Sequence, residues 1–86
     1  MTTKDKLIWT VLSGQSDNDI SFDRLCNLMT ALGFNLRVRG DHHIFYRQDI
    51  PEILNLQPKQ GKAKAYQVKQ VRNLIVKYKL GVGRDD

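Results

Sequence analysis

The spacing of apolar residues changes twice along this chain, and that change limits the fold more than any other feature of the sequence. Apolar side chains recur at helical spacing over residues 22–32, between Ser21, which suits a helix N-cap, and Gly33, which suits a helix end. Apolar and polar side chains alternate over residues 34–39, and helical spacing returns over residues 66–80. The pattern predicts an α+β domain in which helices accompany a small β-sheet.

Three short strands are predicted between these helices. The dipeptide Gly40-Asp41 is typical of a tight turn, and it separates strand-like runs at 34–39 and 42–47. A third strand is expected at 53–57, in a segment bounded by prolines. We therefore expect a three-stranded antiparallel sheet with the helices packed on one face.

The predicted hairpin determines which side chains share a face, because directly opposed residues of paired strands project to the same side. With the turn at residues 40 and 41, the opposed pairs are Arg39 with His42, Val38 with His43, Arg37 with Ile44, and Leu36 with Phe45. The more apolar face is expected to meet the helices, and it carries Leu36, Val38, His43, Phe45, Leu54 and Leu56. The opposite, open face carries Arg37, Arg39, His42, Ile44, Tyr46, Ile53, Asn55 and Gln57.

The length of the chain and its cysteine content indicate a single intracellular domain. Eighty-six residues are too few for two cores, so residues 1–86 are expected to form one domain, with an additional N-terminal helix over residues 4–13. No run suggests a signal peptide or a membrane span, and the single cysteine, Cys26, fits a reducing compartment. We expect a cytoplasmic protein in which Cys26 is a packed thiol rather than a nucleophile.

The positive charge is concentrated in the C-terminal half of the chain. Fourteen Lys and Arg residues outnumber nine Asp and Glu residues, which gives a net charge of +5, and no acidic residue occurs over 53–83. A one-sided basic surface is typical of a protein that binds nucleic acid. A solvated, lysine-rich helix face is the alternative interpretation.

The two histidines are neighbours in the sequence but are predicted to lie on opposite faces of the sheet. Successive strand side chains diverge, so His42 and His43 are poorly placed to bind one metal ion, and no metal or other cofactor is expected. His43 is expected to be a half-buried packing residue. His42 lies on the open face beside two arginines, where a neutral imidazole can act as a general base. A surface histidine with no role is the alternative.

Residues 36–45 carry a motif that resembles a known protein family. The run Leu-Arg-Val-Arg-Gly-Asp-His-His-Ile-Phe is similar to the signature of the HicA toxins of bacterial toxin–antitoxin systems, in which a glycine, a serine and one or two histidines precede apolar residues. The similarity extends to the preceding helix, to the third strand with its Gly-Lys loop, and to the last helix. It is strongest over residues 22–80.

This resemblance implies a fold, an activity and a partner. The fold would be like that of a double-stranded-RNA-binding domain, with an extra N-terminal helix. The activity would be that of an mRNA interferase, a metal-independent endoribonuclease that is the toxin of a type II toxin–antitoxin system. His42 occupies the position of the catalytic histidine of the family. The implied partners are mRNA and a HicB-type antitoxin protein.

The chemistry expected of such an enzyme uses a nucleophile that RNA itself supplies, the 2′-hydroxyl. His42 would accept the proton of this hydroxyl as general base, and basic side chains would neutralise the phosphate. Tyr46 is expected either to stack on an unpaired base or to be a partly exposed strand aromatic. The residues expected to bind RNA are Arg37, Arg39, Tyr46, Lys59, Lys62, Lys64 and Lys69.

Two positions depart from the family pattern and keep other functions open. Asp41 stands where the family usually has serine, and the loop 59–62 lacks the histidine that often precedes its Gly-Lys pair. A non-catalytic RNA-binding module of the same fold is therefore the main alternative. A protein-interaction module that binds no RNA is a further alternative.

Overall fold

The computed structural model describes residues 3–81 and contains, within that range, three α-helices and three β-strands. Their order is α1 (Thr3–Ser13), α2 (Phe22–Ala31), β1 (Asn35–Arg39), β2 (His42–Arg47), β3 (Ile50–Leu56) and α3 (Ala65–Tyr78). The strands form one antiparallel sheet in the order β1-β2-β3. The predicted α+β class with a three-stranded antiparallel sheet is therefore confirmed. None of the helices in the described range is long and apolar enough to cross a membrane.

The buried apolar residues of the helices and of the sheet form one core. Phe45 of β2, together with Leu54 and Leu56 of β3, contributes the sheet side of this core. The helices contribute the apolar stripes that their sequences predict, and α1 adds Leu7, Ile8 and Val11 to the same cluster. The additional N-terminal helix is thus part of the core, because its apolar stripe needs the other helices for burial.

The predicted register of the hairpin is confirmed. All four expected pairs occur, from Leu36 opposite Phe45 to Arg39 opposite His42. Gly40 has a φ of +61°, a left-handed conformation that glycine adopts without the strain caused by a Cβ atom. The tight turn therefore sets the face on which each side chain of the hairpin lies.

The expectation that Leu36 and Val38 would be buried against the helices is wrong. Leu36 is 43% exposed and Val38 is 52% exposed, and every residue of β1 is exposed. The reason is the position of β1 at the edge of the sheet. The apolar layer of the core ends at Phe45 in β2. The face of β1 that lies on the helix side of the sheet is therefore exposed to solvent.

Two element boundaries differ from the sequence prediction. β3 begins at Ile50 rather than at residue 53 and includes Pro51, which is tolerated because an edge strand has one side without ladder hydrogen bonds. α3 ends at Tyr78 rather than at residue 80, because Lys79 has a left-handed φ of +53°. The Leu80 N–H then donates to the carbonyl oxygen of Ile75, as in common helix caps.

An arginine of α3 ties the connection between α1 and α2 to the last helix. Both terminal nitrogens of Arg72 donate to the carboxylate of Asp17, at 3.0 and 3.1 Å, and Nη1 also donates to the Val11 carbonyl oxygen. Both side chains are largely shielded from solvent, with 21% and 12% exposure. Hydrogen bonding to Asp17 raises the pKa of Arg72. This paired contact joins segments that are far apart in the chain.

Candidate functional site

His42 lies at the start of β2, on the face of the sheet that points away from the core. Its register partner in β1 is Arg39, and its side chain is 49% exposed. Arg39 and Arg37 are exposed on the same face, since they alternate with Val38 along β1. The predicted grouping of this imidazole with two arginines on the open face is therefore observed.

A hydrogen bond to the neighbouring strand orients the imidazole. His42 Nδ1 lies 3.1 Å from Oδ1 of Asn55 in β3. An amide carbonyl oxygen only accepts hydrogen bonds, so Nδ1 carries the proton and Nε2 keeps a lone pair in the neutral ring. This is the arrangement that a histidine needs in order to accept a proton at Nε2.

The carboxylate of Asp41 lies next to this nitrogen. Its Oδ1 atom is 4.0 Å from His42 Nε2, and its Oδ2 atom accepts a hydrogen bond of 3.0 Å from Gln57 Nε2. The hydrogen bond from Gln57 is the main cause of the lowered pKa of Asp41, and the positive charge of Lys64 contributes as well. Asp41 is therefore ionised near neutral pH, and its charge would stabilise an imidazolium ion formed at His42.

His43 has different surroundings from His42, as predicted. It is half-buried, and its ring packs edge-on against Phe22 of α2 with ring centroids 4.9 Å apart. Its Nδ1 atom donates to the backbone carbonyl oxygen of Asp41 at 3.2 Å. These contacts are those of a packing residue that also braces the hairpin turn.

The residues predicted to bind RNA do not all lie beside His42. Arg37, Arg39 and Tyr46 occupy the open face, and Tyr46 is 37% exposed. Lys64 precedes α3, and its positive charge contributes to the lowered pKa of Asp41.

The other three predicted lysines lie elsewhere. Lys62 forms an ion pair with Asp19 at 2.9 Å and bridges to Ser21 near the start of α2, while Lys59 and Lys69 are exposed. None of these three lysines lines the groove beside His42 within the described part of the chain.

The sequence prediction missed the roles of several polar residues around His42. Asn55 and Gln57 are expected on the open face, but the sequence does not predict their contacts with His42 and Asp41. Tyr66 and Gln70 of α3 line a groove next to His42. Their four-residue spacing outside the apolar stripe was the only signal in the sequence, because it puts them on one polar side of the helix.

The surroundings of Cys26 do not support a role for its thiol as a nucleophile. Its thiol packs against the core, and burial, with a smaller contribution from Asp23, raises its pKa to about 11. A protonated thiol is a poor nucleophile. Across residues 3–81, no group of three His, Cys, Asp or Glu side chains is arranged to hold a metal ion.

Comparison with known proteins gives no match, whether with family models, curated proteins or solved structures.

Proposed function

We propose that this protein is an endoribonuclease of the HicA type, the mRNA-cleaving toxin of a type II toxin–antitoxin pair, with His42 as its general base. The observation that carries the proposal is the hydrogen bond of 3.1 Å from His42 Nδ1 to Asn55 Oδ1. In the neutral ring this bond places the proton on Nδ1, so the lone pair is on Nε2, on an exposed sheet face that also presents Arg37 and Arg39.

The order of elements supports the same proposal. From α2 to α3 the chain runs helix, three antiparallel strands, helix, which is the order found in double-stranded-RNA-binding domains. The motif over residues 36–45, which resembles the HicA signature, forms the β1–β2 hairpin and the turn before His42. The resembling residues and the candidate base are therefore in one structural unit.

The proposed reaction is an internal transesterification of RNA. His42 Nε2 accepts the proton of a 2′-hydroxyl, and the resulting oxygen attacks the adjacent phosphorus. The bond from phosphorus to the 5′-oxygen of the next nucleotide breaks, and that oxygen takes a proton from solvent. The products are a 2′,3′-cyclic phosphate and a 5′-hydroxyl. General base catalysis of this kind contributes about 10²- to 10⁴-fold to the rate.

The charged neighbours of His42 have distinct proposed roles. Arg39, opposite His42 in the hairpin, neutralises the charge that builds on the phosphoryl oxygens. Asp41, which replaces the usual serine of the family, stabilises the imidazolium ion across the 4.0 Å separation. Lys64, whose positive charge contributes to the lowered pKa of Asp41, is proposed to bind the backbone of the RNA.

A cleavage assay on bare RNA tests the proposal. We expect the purified protein to cut RNA in the presence of EDTA, to leave the matched DNA intact because it lacks the 2′-hydroxyl, and to release fragments with cyclic phosphate ends. His42→Ala should reduce cleavage by at least about 100-fold. The stability change should stay within about 0.5 kcal/mol, because the side chain is exposed.

His43→Ala is the matched control. It removes the edge contact with Phe22, so it should cost about 1 kcal/mol of stability while leaving the cleavage rate of folded protein largely unchanged. RNA binding without cleavage would instead support the non-catalytic RNA-binding module. Loss of cleavage in a stable His43→Ala protein with an active His42→Ala protein would contradict the choice of base.

We further propose that a HicB-type antitoxin is the protein partner and that it covers the open face of the sheet. This face combines the cations Arg37 and Arg39 with the partly exposed side chains of Ile44 and Tyr46. An acidic partner with an apolar centre would complement it.

A further inference from the structure

A groove runs alongside His42 between the outer edge of β3 and the start of α3. It is lined by residues of β2, β3 and α3 and by the residue that follows β3, namely His42, Ile53, Asn55, Gln57, Tyr66 and Gln70. A second depression between Glu52 and Asn73 shares Ile53 and Gln70 with it, so the groove continues along α3 away from His42. His42 and Asn55 also border a depression with Arg39 and Ile44 on the open face of the sheet, so the candidate base lies where the groove meets the face that carries the arginine.

The apolar surfaces in this groove are large and are not covered by the core. Tyr66 is 55% exposed and Ile53 is 64% exposed, and both border the same depression. Tyr66 lies in the first turn of α3, where the buried stripe is formed instead by Gln67 and Val68. An exposed aromatic ring beside a candidate nuclease base provides a flat surface on which a nucleobase can stack.

The polar groups in the groove are mainly amides. Gln70 makes no side-chain hydrogen bond to any residue in the range 3–81, whereas the amides of Asn55 and Gln57 are engaged by His42 and Asp41. A side-chain amide offers a donor and an acceptor side by side, which matches the edge of a nucleobase. The amides of Asn55 and Gln57 are therefore already hydrogen-bonded to His42 and Asp41, and the amide of Gln70 remains available to a ligand.

The charge along the groove differs between its two ends. At the His42 end, Arg39 borders the depression that adjoins the imidazole. At the far end, Lys77 is paired with Glu52 at 2.7 Å. A phosphate is therefore favoured on the Arg39 side of His42 and a neutral base on the Tyr66 side, which is the order of groups in one nucleotide.

We propose that this groove binds the base of the nucleotide whose 2′-hydroxyl His42 deprotonates, with Tyr66 stacking on the base and Gln70 hydrogen-bonding its edge. The inference rests on the proposed function, and it names the substrate as unpaired RNA. In a duplex both faces of a base are stacked and its pairing edge is occupied, so a paired nucleotide cannot use Tyr66 and Gln70 together. Sequence preference would then lie at the nucleotide on the 5′ side of the cut.

Binding to catalytically inactive protein tests the groove separately from cleavage. In a His42→Ala background, single-stranded RNA should bind more tightly than the same sequence in a duplex. Adding Tyr66→Ala or Tyr66→Leu should weaken single-strand binding about tenfold, and Tyr66→Phe should retain it, because stacking on an aromatic ring contributes on that scale. Val76→Ala is the matched control, since Val76 is 61% exposed on α3 and does not line the groove.

Mapping of cleavage ends completes the test in the active protein. Gln70→Ala should flatten the preference at the nucleotide 5′ of the cut, and Val76→Ala should leave it unchanged. Equal binding of duplex and single strand would overturn the inference, as would equal effects of Tyr66→Ala and Val76→Ala. If the protein binds unpaired RNA through Tyr66 without cutting it, the groove is upheld and the nuclease proposal fails.

Discussion

His42 and His43 have different surroundings because successive side chains of a strand project to opposite faces. His42 is held by Asn55 on the open side, and His43 packs against Phe22 on the helical side. The same principle explains why Asn55, between the buried residues Leu54 and Leu56, is available to the imidazole. At the residue scale, the parity of position along a strand decides between an exposed imidazole bound to a polar side chain and one packed against the core.

Asp41, Asp49 and Glu52 all have lowered pKa values, and Glu52 is the one expected to make stability depend most on pH. Its carboxylate accepts hydrogen bonds from Lys77 Nζ at 2.7 Å and from Tyr78 Oη at 2.6 Å, which lowers its pKa from 4.5 to about 2. A lowered pKa in the folded state means that the contribution is complete above about pH 4.5 and is lost as the pH falls through about 2.

Glu52→Gln should therefore destabilise the protein most near pH 7, and the difference from the unaltered protein should shrink between pH 4.5 and pH 2. Urea denaturation across this range measures the effect. Lys77→Met should also reduce the pH dependence of stability, because it removes the larger cause of the lowered pKa of Glu52. A difference that stays constant from pH 7 to pH 2 would contradict this account.

At the scale of elements, the hairpin differs from the rest of the sheet in how it is stabilised. β2 and β3 are fixed by the side chains that they bury under the helices, whereas β1 is held by its pairing with β2. Arg47 strengthens the other end of β2, since it binds both oxygens of Asp49 and also the carbonyl oxygen of Leu32. β1 is thus an exposed edge attached to a firmly packed pair of strands.

Substitutions in β1 and β2 should differ sharply in their effect on stability. Val38→Ser should change the free energy of unfolding by about 0.5 kcal/mol or less, because Val38 is 52% exposed. Phe45→Ala should cost about 3–5 kcal/mol, because Phe45 is fully buried. Leu36→Ser is the matched control and should behave like Val38→Ser. A cost above about 2 kcal/mol at Val38 would show that β1 is covered in solution.

At the scale of the whole molecule, the distribution of charge and of uncovered surface determines where the proposed partner protein is expected to bind. The net charge is +5, and the open face of the sheet presents Arg37 and Arg39 beside His42. Charge complementarity with an acidic partner speeds association and weakens as salt is added.

A HicB-type antitoxin should protect β1 and β2 from hydrogen exchange and should stop cleavage. Arg37→Ala combined with Arg39→Ala should slow association at low salt and reduce its salt dependence. The exposed face of α1 around Trp9, which is 64% exposed, serves as the internal control. Its hydrogen exchange should be the same in the free protein and in the complex. A complex that leaves His42 open to solvent would contradict direct occlusion of the site.

The sequence by itself determined the local features of this protein. The helical and alternating patterns predicted every helix and strand, and the Gly40 turn predicted the hairpin register and the opposite faces of His42 and His43. These features depend on residues close together in the chain, where turn geometry and strand parity act directly.

Tertiary packing alone decided which faces are covered and which distant side chains meet. It left Leu36 exposed, paired Lys62 with Asp19, and brought Asn55 and Tyr66 to the groove beside His42. A side-chain pattern gives the orientation of a residue within its own element, but not how far a neighbouring layer extends or which element lies next to it. Those depend on how the helices fit over the sheet, which only the packed core determines.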